Sequence, residues 1–197
     1  MSETVNATIK QEFGAFVENC PRVTTETDIG SRPSTRGPPH KSVRTVALNA
    51  SMSEHYRKLE RMYHNIPIND FFEPTLSVEK GRAELEQPVS EKLHHAAGAV
   101  HGTVYFHALD NSAFFAANSL VEDVFVLTTQ LDVHLTAPIS TGTMHASAEV
   151  VHEALSQFIA ESVLEDEDGN HLGRALGRFV PSNIELSPEI GYELPDR

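Results

Sequence analysis

Apolar residues in the last third of the chain fall on alternate positions. Across 125–135, Phe125, Leu127, Leu131, Val133 and Leu135 interleave with Val126, Thr128, Gln130, Asp132 and His134. A period of two with one apolar face predicts a half-buried strand, and Ala137-Pro138 closes it. Segments 142–153, 156–166 and 171–180 read as three further strands, with Asp168-Gly169 as the hairpin turn between the last two. Strands joined by such short turns pair antiparallel.

Upstream the period changes. Residues 103–120, TVYFHALDNSAFFAANSL, hold no Gly or Pro and are apolar nearly all round. That pattern predicts a helix buried on most of its surface, with alanines and serines that let strands approach closely. Earlier still, Ser51 and Glu54 match a capping box, and Met52, Tyr56, Leu59 and Tyr63 follow at spacings of 4, 3 and 4. This predicts a helix of about 13 residues, with Pro67 beyond its end. Between the two helices, 72–79 and 82–89 are short strand candidates turning at Lys80-Gly81.

The first quarter of the chain has a different texture. Residues 25–41, TETDIGSRPSTRGPPHK, read as a linker, and Val5, Ile9, Phe13, Phe16 and Val17 ahead of it fall at roughly helical spacing. Three parts are expected: a partly disordered extension and linker over 1–45, a folded domain over 46–182, and a loose tail over 183–197 holding Pro188 and Pro195. Helix, one or two strands, one long buried helix, then four antiparallel strands is the order of an α+β hotdog fold. In that fold a strongly twisted antiparallel sheet wraps around a single helix.

Charge and composition narrow the function classes. The 197 residues carry 15 Lys+Arg against 28 Asp+Glu, a formal net charge of −13. A field of that sign repels phosphate backbones and anionic lipid, so no nucleic-acid partner is expected. No apolar run approaches the roughly 20 residues that span a bilayer, and Met1-Ser2-Glu3 opens without a secretory pattern. No membrane insertion and a cytoplasmic location are therefore expected. A single cysteine, Cys20, excludes an internal disulfide framework and a Cys-rich zinc site.

Two features carry candidate chemistry. Asp110 sits within the apolar helix beside Ala108, Leu109, Ala113, Phe114 and Phe115, where a carboxylate is costly unless it is paired. It reads either as part of a satisfied polar cluster with Asn111 and Ser112 or as a functional acid. Just before the helix, Gly98-Ala99-Val100-His101-Gly102 offers backbone N–H groups at a partly positive helix start. Such donors polarise a carbonyl or hold an oxyanion, although glycines also sit at plain helix-entry turns. His94, His95, His101 and His107 lack the i, i+4 ligand pairing of a helical zinc site, so no metal and no cofactor are expected. No G-x-S-x-G elbow, phosphate loop or dinucleotide fingerprint occurs.

The stretch His95-x-x-Gly98-x-x-His101-Gly102 followed by Asp110-Asn111 resembles hotdog acyl-CoA thioesterases of the PaaI-like, phenylacetate-pathway type. The similarity runs on through Ala116-Ala117-Asn118-Ser119, Leu131-x-Val133-x-Leu135-Thr136-Ala137-Pro138, Glu165-Asp166-Glu167-Asp168-Gly169 and Ala175-x-Gly177-x-Phe179, covering about 51–181. It implies hydrolysis of an acyl-CoA substrate to free acid and CoA. In this resemblance the Gly102 N–H polarises the thioester carbonyl, and His95 assists it where the family often has Asn or Gln. Asp110 serves as general base or nucleophile, and Thr128, with Thr129 next to it, positions the water. His101, Thr103, Asn111 and Thr129 are the expected substrate contacts. Thr103 departs from the family, which usually has a second glycine there.

Because Gly102 and Asp110 are eight residues apart on one helix, about 12 Å separates them along its axis. One chain does not easily present both to a single thioester, so a homodimer with shared sites is expected, and a dimer of dimers (a homotetramer) remains open. The alternative reading is a non-hydrolytic acyl-CoA-binding or regulatory hotdog module, motivated by Thr103 and His95. A hotdog hydratase lacks its Asp/His loop here.

Overall fold

The computed structural model describes residues 43–154 and 156–194, with side chains from residue 53. The candidate helix at Val5–Val17 and the linker 25–41 lie outside the described residues. By its internal contacts the chain divides into two units, Met1–Ser51 and Met52–Arg197, and the sheet and the buried helix belong to the second.

Helix α1 spans Val43–His64, and a one-turn helix α2 follows at Asn69–Phe72. The start of α1 corrects the sequence expectation. Ser51 lies inside the helix and does not open it, because 43–50 contain no Gly or Pro to stop helical propagation. The Ser-x-x-Glu spacing is also simply that of neighbours one turn apart. Of the expected stripe, Leu59 and Tyr63 are buried and Tyr56 is partly so, while the Met52 side chain lies outside the described residues; Met62 is buried beside them.

Strands β1 (Thr75–Glu79) and β2 (Arg82–Pro88) form a hairpin closed at Glu79↔Arg82. Gly81 takes φ +69°, the left-handed backbone such a two-residue turn requires. Its N–H donates to Ser119 Oγ at 2.7 Å, tying the turn to the end of the next helix. That helix, α3, spans Gly102–Asn118, close to the expected 103–120. Four longer strands follow: β3 (Val124–Leu135), β4 (Thr143–Ala154), β5 (Gln157–Asp166) and β6 (His171–Glu185).

All five strand pairings are antiparallel, and the sheet order is β1-β2-β4-β5-β6-β3. Helix α3 is the core. Ala108, Leu109, Ala113, Ala116 and Ala117 are fully buried, and the three alanines past Leu109 let the strands close on the helix. Ser112 spans to the sheet through its hydroxyl, 2.7 Å from Ser162 Oγ on β5. A twisted antiparallel sheet around one buried helix is the hotdog architecture.

Strand β6 runs beyond its expected end at 180, through Pro181 to Glu185. The last β5–β6 pair is Phe158↔Phe179, so past that point β6 is bonded only to β3. A proline without an N–H is tolerated at such an open edge. After it, a 3-10 turn at Pro188–Ile190 brings the Tyr192 hydroxyl to 2.7 Å from His55 Nδ1 on α1.

Candidate active site

Two side chains set the position of β3 against α3. At the C-terminal end of the helix, Asn118 Oδ1 accepts from Val126 N, and its Nδ2 donates to the carbonyls of Val121 and Val124. Near the N-terminal end, the Tyr105 hydroxyl donates to Ala137 O and accepts from Ile139 N. The strand thus runs antiparallel to the helix, its end at Leu135 beside Gly102 and its middle beside Asp110.

Two residues past Val126, Thr128 Oγ1 donates to Asp110 Oδ1 at 3.1 Å. Neither Asn111 nor Ser112 serves Asp110. Asn111 Nδ2 donates to His107 O, and Ser112 Oγ bonds Leu109 O and Ser162. The internal polar cluster weighed from sequence does not form around this acid. Burial pushes the Asp110 carboxyl above the usual carboxylate range, and the Thr128 hydrogen bond opposes that shift.

Thr129 is turned to other work. Register shifts between Thr128 and Gln130, so Thr129 is the extra residue of a β-bulge, and its hydroxyl donates to Arg178 O at 3.1 Å. The bulge lets adjacent threonines differ in role. Only Thr128 reaches Asp110.

The loop ahead of α3 folds back on itself. A bridge between His94 and Val100, with His95 N donating to Ala99 O and Gly98 N to His95 O, makes a tight turn in which Gly98 takes φ +81°. This turn sets the rings of His95 and His101 edge to face, with centroids 6.5 Å apart. Ala97 N–H donates to His95 Nδ1 at 3.1 Å, so neutral His95 carries its proton on Nε2. The exposed ring therefore offers an N–H donor, as an Asn or Gln amide would.

His101 is the N-cap of α3. Its Nδ1 accepts from Thr103 N at 3.2 Å and lies 2.9 Å from Thr103 Oγ1. Thr103 is held by this cap. Gly102 occupies the first helical position, where the amide has no partner within the helix. A Cβ added at Gly102 would meet only a Leu135 methyl, at 3.5 Å, and its φ is ordinary. Neither strain nor crowding within the chain demands glycine there.

The structure thus gathers the expected residues into two groups. His95, His101, Gly102 and Thr103 form a donor-rich helix start, and Asp110 with Thr128 forms an acid about 12 Å further along α3. Asn111 follows the acid in the chain but hydrogen-bonds to His107 O, and Thr129 belongs to neither group. Sequence reasoning missed Phe106, which is exposed between the groups, and Leu135, half exposed beside Gly102. His107, weighed from sequence only as a metal ligand, is buried and stacked on Phe72 with ring centroids 4.2 Å apart. An apolar residue midway between two candidate groups on one helix was the available signal for Phe106. Among the described residues no helix is long and apolar enough to cross a membrane, and no three His, Cys, Asp or Glu side chains converge as metal ligands.

The Thioesterase superfamily pattern matches residues 97–172, which contain the helix start, the acid and the following strands. A 1,4-dihydroxy-2-naphthoyl-CoA hydrolase from Listeria monocytogenes is 32% identical over 93 residues, covering 47% of this chain and 76% of that protein. A protein named as an esterase in Saccharolobus solfataricus is 27% identical over 133 residues, 68% of this chain and 85% of its own length. Among solved structures, the E. coli PaaI protein of the phenylacetic acid degradation operon superposes with a TM-score of 0.64 at 15% identity, covering 69% of this chain and 99% of PaaI. The chain belongs to the thioesterase superfamily: it is a thioester hydrolase of hotdog fold.

Proposed function

We propose that the protein hydrolyses an acyl-CoA thioester to the free acid and CoA, at sites built from two copies of the chain. The observation that carries this reading is the Asp110–Thr128 pair, a carboxylate in an apolar helix whose partner among the described residues is a single hydroxyl. In the proposed reaction the Gly102 amide and the His95 Nε2–H hold the thioester oxygen as charge builds on it. Thr128 holds Asp110 Oδ1, and the carboxylate acts as general base on water or as nucleophile at the carbonyl carbon. The C–S bond breaks, CoA leaves as the thiol, and water supplies the oxygen of the new acid.

The shared site follows from distance. A nucleophile must come within about 3–3.5 Å of the carbon whose oxygen meets the donors, and about 12 Å of helix separates the two groups. The edge of the sheet supports a partner copy: among the described residues β3 has β6 on one side only, and its 12 residues leave backbone groups unpaired on the other.

A panel of short, medium, long and aryl acyl-CoAs tests the activity, and no turnover on any of them overturns it. Mixed variants test the sharing. Co-expressed Asp110→Asn and His95→Ala chains place both losses in one site of each mixed dimer and leave the other intact. Random pairing makes half the dimers mixed, so about a quarter of wild-type turnover is expected to return. A mixture as inactive as its parents, with mixed dimers present by mass, means that the sites are not shared.

Gly102→Val is expected to fold, because a Cβ added there meets only a Leu135 methyl at 3.5 Å, an ordinary contact. Crowding of the amide lowers turnover by about tenfold or more. Thr103→Gly is expected to keep turnover and to lose only the contact with His101. Melting temperature and turnover measured together check both, and a severe loss in Thr103→Gly contradicts the assignment of the turn.

A further inference from the structure

Helix geometry fixes where a two-fold axis must pass if the proposed shared site is correct. Gly102 and Asp110 differ by eight residues of α3, hence by about 12 Å in height and about 80° around the helix. Phe106 halves both, standing about 6 Å and about 40° from each. Any axis that sets Asp110 of one protomer level with the partner's Gly102, and the reverse, crosses between the helices at the height of residue 106.

The side chain at that position is anomalous. From Val104 to Leu109 every other residue of α3 is buried, yet Phe106 is 47% exposed. It lies on the arc that Gly102 and Asp110 bound, so its ring faces the seam between the helices. Charge favours a second copy as the occupant. Each α3 offers a carboxylate at Asp110 and a partly positive N-terminus with no acidic residue in its first turn. Antiparallel helices set each of these against its complement, twice.

We infer that Phe106 packs against the partner's Phe106 on the dimer axis. The pair is a positioning contact: it sets the spacing of the two helices and stands as the wall between the two active sites. It rests on the shared-site reading and adds to it a named residue at the centre. Helices about 8–10 Å apart bring facing Cα atoms at their crossing within reach of the roughly 4.4–6.8 Å that a disulfide spans.

Cys20 is the only native thiol, so the test uses Phe106→Cys in a Cys20→Ser chain. Mild oxidation is expected to link most of the protein into dimers on a non-reducing gel. Val151→Cys, at an exposed position on β4, is expected to stay unlinked. The chain has no tryptophan, so Phe106→Trp gives a single emitter as a second probe. Its emission is expected to be blue-shifted in the dimer and to move red when dilution separates the protomers. Phe106→Cys linking no better than Val151→Cys in a protein that is dimeric by light scattering overturns the inference, as does tryptophan emission that ignores dilution. Complementation between the Asp110 and His95 variants reads the shared site separately. Recovered activity without linkage removes Phe106 from the axis and leaves the shared site standing, whereas a monomeric protein removes both.

Discussion

Replacing Asp110 by asparagine is expected to lower turnover at least about 10²-fold, the usual scale for losing a general base, while leaving the melting temperature at neutral pH unchanged or higher. The two effects have one cause. Burial raises the carboxyl above its ordinary range, and the Thr128 bond recovers part of the cost. In the window between the ordinary value of 3.8 and the raised one, the folded protein holds a proton that the unfolded chain has released. Stability contributed by this group therefore falls as pH rises through that window, and the ionised acid is a burden at neutral pH. Asparagine has the same shape, still accepts from Thr128 and carries no charge, so it removes the burden along with the base. Wild-type kcat is expected to rise along an acid limb lying above the ordinary carboxylate range. Turnover and thermal unfolding measured side by side from pH 4 to pH 8 check this. A parallel loss of turnover and stability would mark Asp110 as a structural acid.

Legibility in the sequence followed the number of faces an element buries. Helix α3 was plain because its surround is apolar on all sides, and its boundaries differ from the expectation by a residue or two. The β1–β2 hairpin alternates cleanly in burial, an alternation that hydropathy alone shows faintly because two of its inward positions are Ala83 and Gln87. Gln87 is fully buried with its amide on the carbonyls of Phe72 and Pro88, a partnership that no local pattern announces. The choice between Thr128 and Thr129 depends on a bulge whose cause lies in pairing with β6, some 50 residues away in sequence. Spacing did carry the separation of Gly102 from Asp110, since a helix converts residue number directly into distance. It carried nothing about Asn69, which sits in a one-turn helix just ahead of a segment read as strand.

Asn69 matters because of what it does to His107, and the second large effect expected is an acid limb of stability set by that histidine. Asn69 Nδ2 donates to Tyr63 O at 2.7 Å, which turns its Oδ1 toward the ring of His107, 3.2 Å from Nε2. Neutral His107 therefore donates from Nε2 and keeps a bare lone pair on Nδ1. That Nδ1 is buried with no partner among the described residues, and Phe72 stacks on the ring. A second proton there would be a buried charge with no acceptor, and burial pushes the pKa from 6.5 down to about 4. The unfolded chain binds this proton below about pH 6.5 and the folded one does not until about pH 4. Stability is thus full above pH 6.5 and lost as pH falls, by up to about 3 kcal/mol at the bottom of the window. His55 is also lowered by burial and adds to the slope, while Asp110 opposes it near the acid end. His107→Gln keeps a donor for Asn69 and cannot titrate, so its urea midpoint is expected to change much less between pH 7.5 and pH 4.5 than that of the wild type. An equal fall in both proteins would place the acid sensitivity elsewhere, with His55→Gln as the next variant to measure.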